Sequence, residues 1–566
     1  MFNHLPKPPL PTIRGCGIVV LVLVPAWLVY SSGVPFYKTI FGQREEDEAQ
    51  VDADGGTADH QAVWKMAWKK GKAKEALGIF MELPFCGEAG HDSDQVDKDE
   101  DEDDDELNFS DVEAETDDDS DCDYDEFQSF RPLLAELNTD HLPAFASRIR
   151  QQHDPDYNGK PPIVHEPLCG SFNICFPLEF EDVRWIVRFP WNGTEAKWDE
   201  ISAVALETEA RTLRLLETET TIPAPRLYDF CADKDNELNC PYIFMSFIEG
   251  VSLYDIWWGG LDGRHSAKTN HWCRRRALEG IASAMKQLRK FSSDKGGSVH
   301  FNKEGKLSTT GPMRVLDFNA ISDAWKGCDG VPDIQVGFQT VGPFTKPIEA
   351  YTCTLRPPSR PSEFAKGVFM LLKLLISWLP TPEDGDQFDL THPDFDLQNI
   401  IVSEEGELRG IIDWDNVAMV PRALGSERYP CWLTKDWDFS TYRYCLPEDR
   451  QAGRDDRPGA YKYYRSVYRE FMATGCDEAS STELRTKTYD ATRVSLVADN
   501  LYLAARDPAT TDHILLYMVE KIAAVSSADI DLDFFDIVND LGDGTLVDEI
   551  KDALHDAFMS LFTMDL

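Results

Sequence analysis

Basic residues are scarce in this chain: 56 Lys and Arg stand against 100 Asp and Glu over 566 residues, a formal net charge of -44. A surface this acidic lacks the concentrated Lys and Arg that neutralise a phosphate backbone, which excludes nucleic acid as an expected partner. The thirteen cysteines form no C-x-x-C pair and no regular framework. Neither a zinc cluster nor a disulfide scaffold is therefore expected, and the thiols read as reduced. A full-length apolar run is missing as well. The most apolar stretch, Gly17 to Tyr30, holds fourteen residues and is interrupted by Pro25, whereas a membrane span takes about 20. With Lys7 and Arg14 before it, this stretch resembles the basic and apolar parts of a signal sequence or short anchor. A buried segment is the competing reading, so membrane association stays open. A cytoplasmic catalytic domain is favoured, with residues 17–30 as its candidate anchor.

The acidity is unevenly placed. Between Asp92 and Glu126 there are 21 acidic residues and one Lys, so this stretch alone contributes -20. Such a run repels itself and buries almost nothing, so residues 91–128 read as a disordered acidic linker. It serves either as a solvating spacer or as a tail for a basic protein partner. Residues 1–60 read as a leader containing the apolar segment. Residues 61–90 form a short, partly helical piece, with Trp64, Trp68, Leu77 and Phe80 near helical spacing.

Persistent globular patterning begins near Phe130. Ser171–Phe180 and Val183–Phe189 are β-rich runs separated by Glu181-Asp182, which predicts a hairpin. Ile201–Leu216 reads as a helix that stops before Ile222-Pro-Ala-Pro225, and Tyr242–Ile248 reads as another strand. Beyond Gly250 the pattern turns helical, at Trp272–Phe291, Phe364–Leu379, Tyr461–Met472, Ala491–Ala505 and Thr511–Ala523. The Pro-rich and Gly-containing stretch from about 295 to 360 is expected to form part of a cleft wall. The fold class is α+β: a β-rich N-terminal lobe over 130–250, a larger helical lobe over 251–540, and a tail over 541–566.

The chemistry is concentrated in Thr391-His-Pro-Asp-Phe-Asp-Leu-Gln-Asn-Ile-Ile-Val402, followed by Ile412-Asp-Trp-Asp415. His392, Asp394 and Asn399 have the H-x-D-x-x-x-x-N spacing of a phosphotransferase catalytic loop, and Asp413 follows an apolar strand. Phosphoryl transfer requires a carboxylate beside the attacking hydroxyl and hard oxygen ligands for magnesium. Asp394 fits the first need, while Asn399 and Asp413 fit the second. Taken singly, each residue is ordinary: an isolated His or Asn is usually structural, and an isolated Asp is usually a cap. The joint spacing is what points to catalysis. Within it, bracing of the loop by His392 fits better than proton transfer.

These residues resemble the aminoglycoside phosphotransferase-like family, particularly its fungal members of unassigned substrate. The family's loop pattern is met by Leu390, His392, Asp394, Asn399, Ile400 and Val402, and its Ile-Asp-Trp pattern by Ile412, Asp413 and Trp414. The resemblance implies a two-lobed protein-kinase-like fold, ATP and Mg2+ as cofactors, and a small-molecule hydroxyl as acceptor. It makes Asp394 the catalytic aspartate, with His392 in the same loop, and Asn399 and Asp413 the magnesium ligands. Gly170 and Ser171 then lie in the nucleotide loop. Arg188 takes the place of the phosphate-gripping lysine with Glu209 as its ion-pair partner, and Met245 to Ile248 line the adenine pocket. Two departures stand out. Arg188 offers a planar fork where the family has a compact ammonium, and Pro393 replaces the usual Gly, fixing φ and removing an amide donor. Trp414-Asp-Asn416 stands where a protein kinase carries Phe-Gly, which argues against a regulated protein kinase. The alternative reading is a catalytically degenerate scaffold that binds nucleotide or a protein partner. Acidic side chains beyond Arg422, among them Asp436 and Asp438, are candidates for receiving a cationic acceptor.

Overall fold

The computed structural model describes residues 127–564, apart from 260–265, 327–337, 359–361, 383–386, 439–441, 443–454, 475–481 and 529. The leader, its apolar segment, the 61–90 piece and the acidic run to Glu126 lie outside the described residues. Two helices, α1 (Arg131–Glu136) and α2 (Leu142–His153), precede an antiparallel sheet. Its strands are β1 (Ile163–Val164), β2 (Leu168–Cys169), β3 (Asn173–Glu179), β4 (Arg184–Pro190), β5 (Leu227–Cys231) and β6 (Tyr242–Ser246). They run in the order β1-β3-β4-β6-β5, with β2 beside β3. Alternation along β3 turns Ile174, Phe176 and Leu178 into a core shared with Leu133 and Ile149 of α1 and α2.

The opposite face carries helix α3 (Glu200–Glu219), whose first turn is capped by Asp199 accepting from the Ser202 amide at 2.7 Å. Its Leu206, Leu213 and Leu216 pack with Leu227, Ile243 and Met245. The predicted hairpin, helix and strand are thus present. Register pairs Arg188 with Cys175 and Ile243, and Ile186 with Met245. Arg188 and Met245 therefore stand on one face of the sheet.

The chain enters the second lobe through Gly250, whose φ is +155° and where an added Cβ would lie 2.5 Å from the Val402 carbonyl oxygen. That closeness lets β7 (Val251–Ser252) pair with the catalytic-loop strand β14 (Ile400–Val402), which pairs with β15 (Leu408–Ile411). Gly250→Val is accordingly expected to cost about 1–3 kcal/mol by overpacking, measured as a lowered denaturant midpoint.

Helices α4 (Leu253–Trp258) and α5 (Ala267–Met285) follow. The described residues between 292 and 352, which the sequence reading leaves without elements, form several. They form β8 (Ser292–Ser293), β9 (Gly297–Phe301), β10 (Leu307–Gly311), β11 (Met313–Leu316), α6 (Phe318–Lys326), β12 (Phe338–Val341) and α7 (Pro347–Thr352). Their polar, Gly-punctuated strands lack the apolar alternation that announces a half-buried strand.

Helix α8 (Glu363–Ser377) leads to β13 (Phe388–Thr391), which pairs with β16 (Ala418–Pro421). Helices α9 (Pro458–Ala473), α10 (Thr482–Arg506), α11 (Thr511–Val525), α12 (Phe534–Asp543) and α13 (Asp548–Leu561) complete the lobe. The last of these lies within the segment read as a tail, and it buries Leu554, Phe558 and Leu561 in the main core. The architecture is the α+β, two-lobed, protein-kinase-like arrangement that the resemblance implies. Among the described residues no helix is long and apolar enough to cross a membrane.

Candidate active site

The loop between β13 and β14 is short and heavily tied. Asp396 caps the 3-10 turn Leu397–Asn399, its Oδ1 accepting from the Leu397 amide at 2.7 Å. That turn presents Asn399, whose Nδ2 donates to the Asp394 carbonyl oxygen and to Asp394 Oδ2, each at 2.8 Å. Gln398 Nε2 donates to the same Oδ2 at 3.3 Å. The exposed Asp394 carboxylate is therefore steered by two amides. With its nitrogen committed, Asn399 has its amide oxygen left as the atom suited to a cation.

His392 is fully buried and shares a hydrogen bond of 2.8 Å between its Nε2 and the Ile412 carbonyl oxygen. A carbonyl only accepts, so Nε2 carries the proton. Loss of water on burial pushes the imidazole pKa down to about 4, and the ring is neutral at physiological pH. The ring also meets Trp414 edge-on, with centroids 4.7 Å apart. This is the geometry of a brace between the two motif segments.

A second tie, from the Ile412 amide to the Asn399 carbonyl oxygen at 2.9 Å, closes the open end of the β14–β15 hairpin. Asp413 follows with φ +63°, a left-handed backbone that Asp tolerates better than most residues. The Asp413 side chain is 42% exposed, and its Oδ1 accepts from Arg188 Nη1 at 3.0 Å. Arg188 Nη2 donates to the buried Glu209 carboxylate of α3. One guanidinium thus connects strand β4, helix α3 and the second motif. Partial desolvation raises the Asp413 pKa, opposed by Arg188 and reinforced by Asp415 and Asp394.

Among the described residues no three His, Cys, Asp or Glu side chains converge as a metal cage. The donor set is instead one amide oxygen and one carboxylate. That suits magnesium, which keeps several waters and shares its shell with phosphate oxygens.

In the N-terminal lobe, Gly170 and Ser171 sit in the tight turn joining β2 to β3, where the Gly170 amide donates to the Asn173 carbonyl oxygen at 2.8 Å. The turn is carried by the strand next to the one bearing Arg188. Met245 is buried on the Arg188 face of the sheet. Ile248 lies against Gly410 of β15, where an added Cβ would approach its Cγ2 to 2.8 Å. The structure thus joins Arg188, Glu209 and Asp413 by direct contact, and Asp394 and Asn399 likewise.

Sequence reasoning missed two contributors, Arg428 and Arg314, and gave Asp415 of the second signature run no role of its own. Arg428, buried, donates to the His392 carbonyl oxygen and to Asp499 Oδ1, both at 3.2 Å, and so fixes the loop from behind. Arg314 of β11 and Asp415 line the same cleft as Arg188 and Glu209. No motif marks Arg428 or Arg314, because both act from segments outside the two signature runs. Asp436 departs from its expected role. It is buried and bonded to both Nη atoms of Arg465, at 2.6 and 3.1 Å, so its charge is committed to the core and does not face an acceptor.

Residues 179–424 match the model of the phosphotransferase enzyme family. A curated relative, altered inheritance of mitochondria protein 9, mitochondrial, of Candida albicans, is 28% identical over 145 residues, 25% of this chain and 22% of that protein. The match thus spans about a fifth of the relative's length. Among solved structures, a putative aminoglycoside phosphotransferase of Ralstonia eutropha aligns over 75% of this chain and 99% of its own, at 16% identity and a TM-score of 0.38. An ethanolamine kinase of Plasmodium vivax aligns over 72% and 89%, at 11% identity and a TM-score of 0.32. The sequence match covers β4, α3 and both signature segments, the elements that carry Arg188, Glu209, Asp394, Asn399 and Asp413. Over residues 179–424 this chain is similar to the phosphotransferase enzyme family.

Proposed function

We propose that this chain is an ATP- and Mg2+-dependent phosphotransferase whose acceptor is a hydroxyl of a small molecule. One observation carries the reading: Arg188 contacts Glu209 and Asp413 together, while Asp413 is tied through Ile412 to the turn that presents Asn399 and Asp394. Asn399 and Asp413 would hold magnesium, which would supply positive charge to offset the phosphates of a bound donor. Asp394 orients the acceptor hydroxyl. As the new O–P bond forms and the bond to the ADP oxygen breaks, the hydroxyl proton passes to Asp394. Arg188, steadied by Glu209, binds the donor phosphates. The Gly170–Ser171 turn covers them, and Met245 and Ile248 flank the base. His392 and Arg428 keep the loop in register.

Calorimetry on the full-length protein tests the nucleotide site. Mg-ATP is expected to bind the wild type, and Asp413→Ala is expected to weaken that binding at least about tenfold, near 1.4 kcal/mol. Absence of binding by folded wild type would sink the reading.

A second reading, a kinase-like scaffold without turnover, draws on the same Arg188–Asp413 ion pair, which occupies a carboxylate a cation would take. Nucleotide binding indifferent to both magnesium and Asp413→Ala would favour it. In that case a basic protein partner for the acidic linker becomes the first target of search.

Among the described residues the cysteines are free thiols, in keeping with a reducing, ATP-containing compartment. We place the catalytic domain in the cytoplasm. Co-fractionation with mitochondria would move it to the compartment named for the Candida relative.

A further inference from the structure

We propose that Arg314 is a second phosphate-binding residue, contributed by the antiparallel strand pair β11–β12 and directed at the terminal phosphate of the nucleotide. The proposal rests on the nucleotide-binding reading above and goes beyond it, since Arg314 lies outside both signature segments.

Two contacts bring this strand pair against the N-terminal lobe, and a third comes from the neighbouring β9. Arg314 Nη1 donates to Ser202 Oγ in the first turn of α3 at 3.0 Å. Phe338 of β12 meets Phe172, in the turn that follows Gly170 and Ser171, with ring centroids 6.0 Å apart. Thr208 Oγ1 of α3 donates to the Val299 carbonyl oxygen of the adjoining β9 at 3.2 Å. The strand pair therefore abuts the turn that carries Gly170 and Ser171.

The guanidinium is prepared for an anion. Its central carbon lies 4.0 Å from the Phe338 ring centroid, a stacking contact that holds the fork flat and leaves its edge for hydrogen bonds. Its Nε is screened from water and has no protein hydrogen-bond partner. Nη1 donates to a neutral hydroxyl, and the Asp199 carboxylate that caps α3 lies within electrostatic reach. Arg188 is in the opposite condition, because Glu209 and Asp413 already claim both of its nitrogens.

Arg314 and Arg188 line one cleft together with Asn173, Glu209 and Asp415. A phosphate entering there meets Glu209, Asp413 and Asp415 with one guanidinium to offset them. A second guanidinium at the turn tip, hydrogen-bonded to a hydroxyl and not to a carboxylate, adds positive charge where the outermost phosphate would sit. Charge-assisted bonds from an Arg fork to phosphate are short and strong.

The test measures the affinities of ATP, ADP and AMP, each with magnesium, for full-length wild type, Arg314→Gln and Arg314→Lys. Melting temperatures are recorded alongside. Arg314→Gln is expected to weaken ATP by about tenfold or more, ADP less, and AMP within about twofold. Arg314→Lys is expected to recover part of the ATP loss through its retained charge. Equal losses for all three nucleotides would assign Arg314 a purely structural tie to α3 and overturn the proposal. Unchanged ATP affinity in both variants would overturn it as well. Lys failing to recover ATP affinity while melting like wild type would also count against it. If wild type binds none of the three nucleotides, the nucleotide-site reading falls first and this proposal with it.

Discussion

Asp394→Asn is expected to lower acceptor-dependent phosphoryl transfer by roughly 10²–10⁴-fold while Mg-ATP affinity stays within about twofold of wild type. The asymmetry follows from what holds the side chain. Asp394 Oδ2 accepts from Asn399 Nδ2 and Gln398 Nε2, and an Asn carbonyl oxygen can accept both. The loop therefore keeps its shape and loses only the group that takes the hydroxyl proton. Asp394→Ala should behave differently. Without the carboxylate, Asn399 loses one of its two anchors, so the proposed magnesium ligand is freed to turn and nucleotide affinity falls together with turnover. Single-turnover kinetics beside calorimetry separate the two variants. Equal retention of turnover in both would remove Asp394 from the chemistry.

The second large effect concerns stability as much as function. Glu209 is 2% exposed and Arg188 9% exposed, and they form an ion pair inside the N-terminal lobe. Arg188→Met leaves the Glu209 carboxylate buried without its partner, a change that costs about 3–5 kcal/mol. Denaturant unfolding should read this directly. Adding Glu209→Leu removes the stranded charge, so Arg188→Met/Glu209→Leu is expected to recover much of the stability and none of the nucleotide affinity. Arg188→Lys keeps the charge but loses the planar fork that reaches Glu209 and Asp413 with separate nitrogens. Partial retention of both properties is expected there. If the double variant were no more stable than Arg188→Met, desolvation of Glu209 would not be the source of the loss.

Much of this site was legible in the sequence because phosphoryl transfer confines its chemistry to short segments. The spacing of His392, Asp394 and Asn399 needs one tight turn, and Asp413 needs one hairpin. The apolar runs Ile400–Val402 and Leu408–Ile411 announced that hairpin. The ion pair of Arg188 and Glu209 was legible only through family likeness, since nothing local to a strand Arg or a helix Glu says that they meet. Arg314 and Arg428 carried no such signal. Arg428 acts by reaching the His392 carbonyl oxygen from 36 residues away, and Arg314 sits on a strand whose neighbours are polar. The β8–β12 region failed for the same reason: Ser292-Ser293 and Leu307–Gly311 present little apolar alternation. Asp436 misled because an acidic side chain reads as surface until its buried partner Arg465 is placed beside it.

The central claim is that a phosphate is transferred from nucleotide to a small-molecule hydroxyl at Asp394. The most direct measurement is phosphorus NMR of the full-length protein incubated with ATP, magnesium and a deproteinised extract of hydroxyl metabolites, with Asp394→Asn in parallel. A new phosphomonoester resonance that grows with ADP in the wild type, and is missing from both the variant and the magnesium-free sample, is the result predicted here. Bound nucleotide without any new ester, or an ester formed equally by Asp394→Asn, would contradict it.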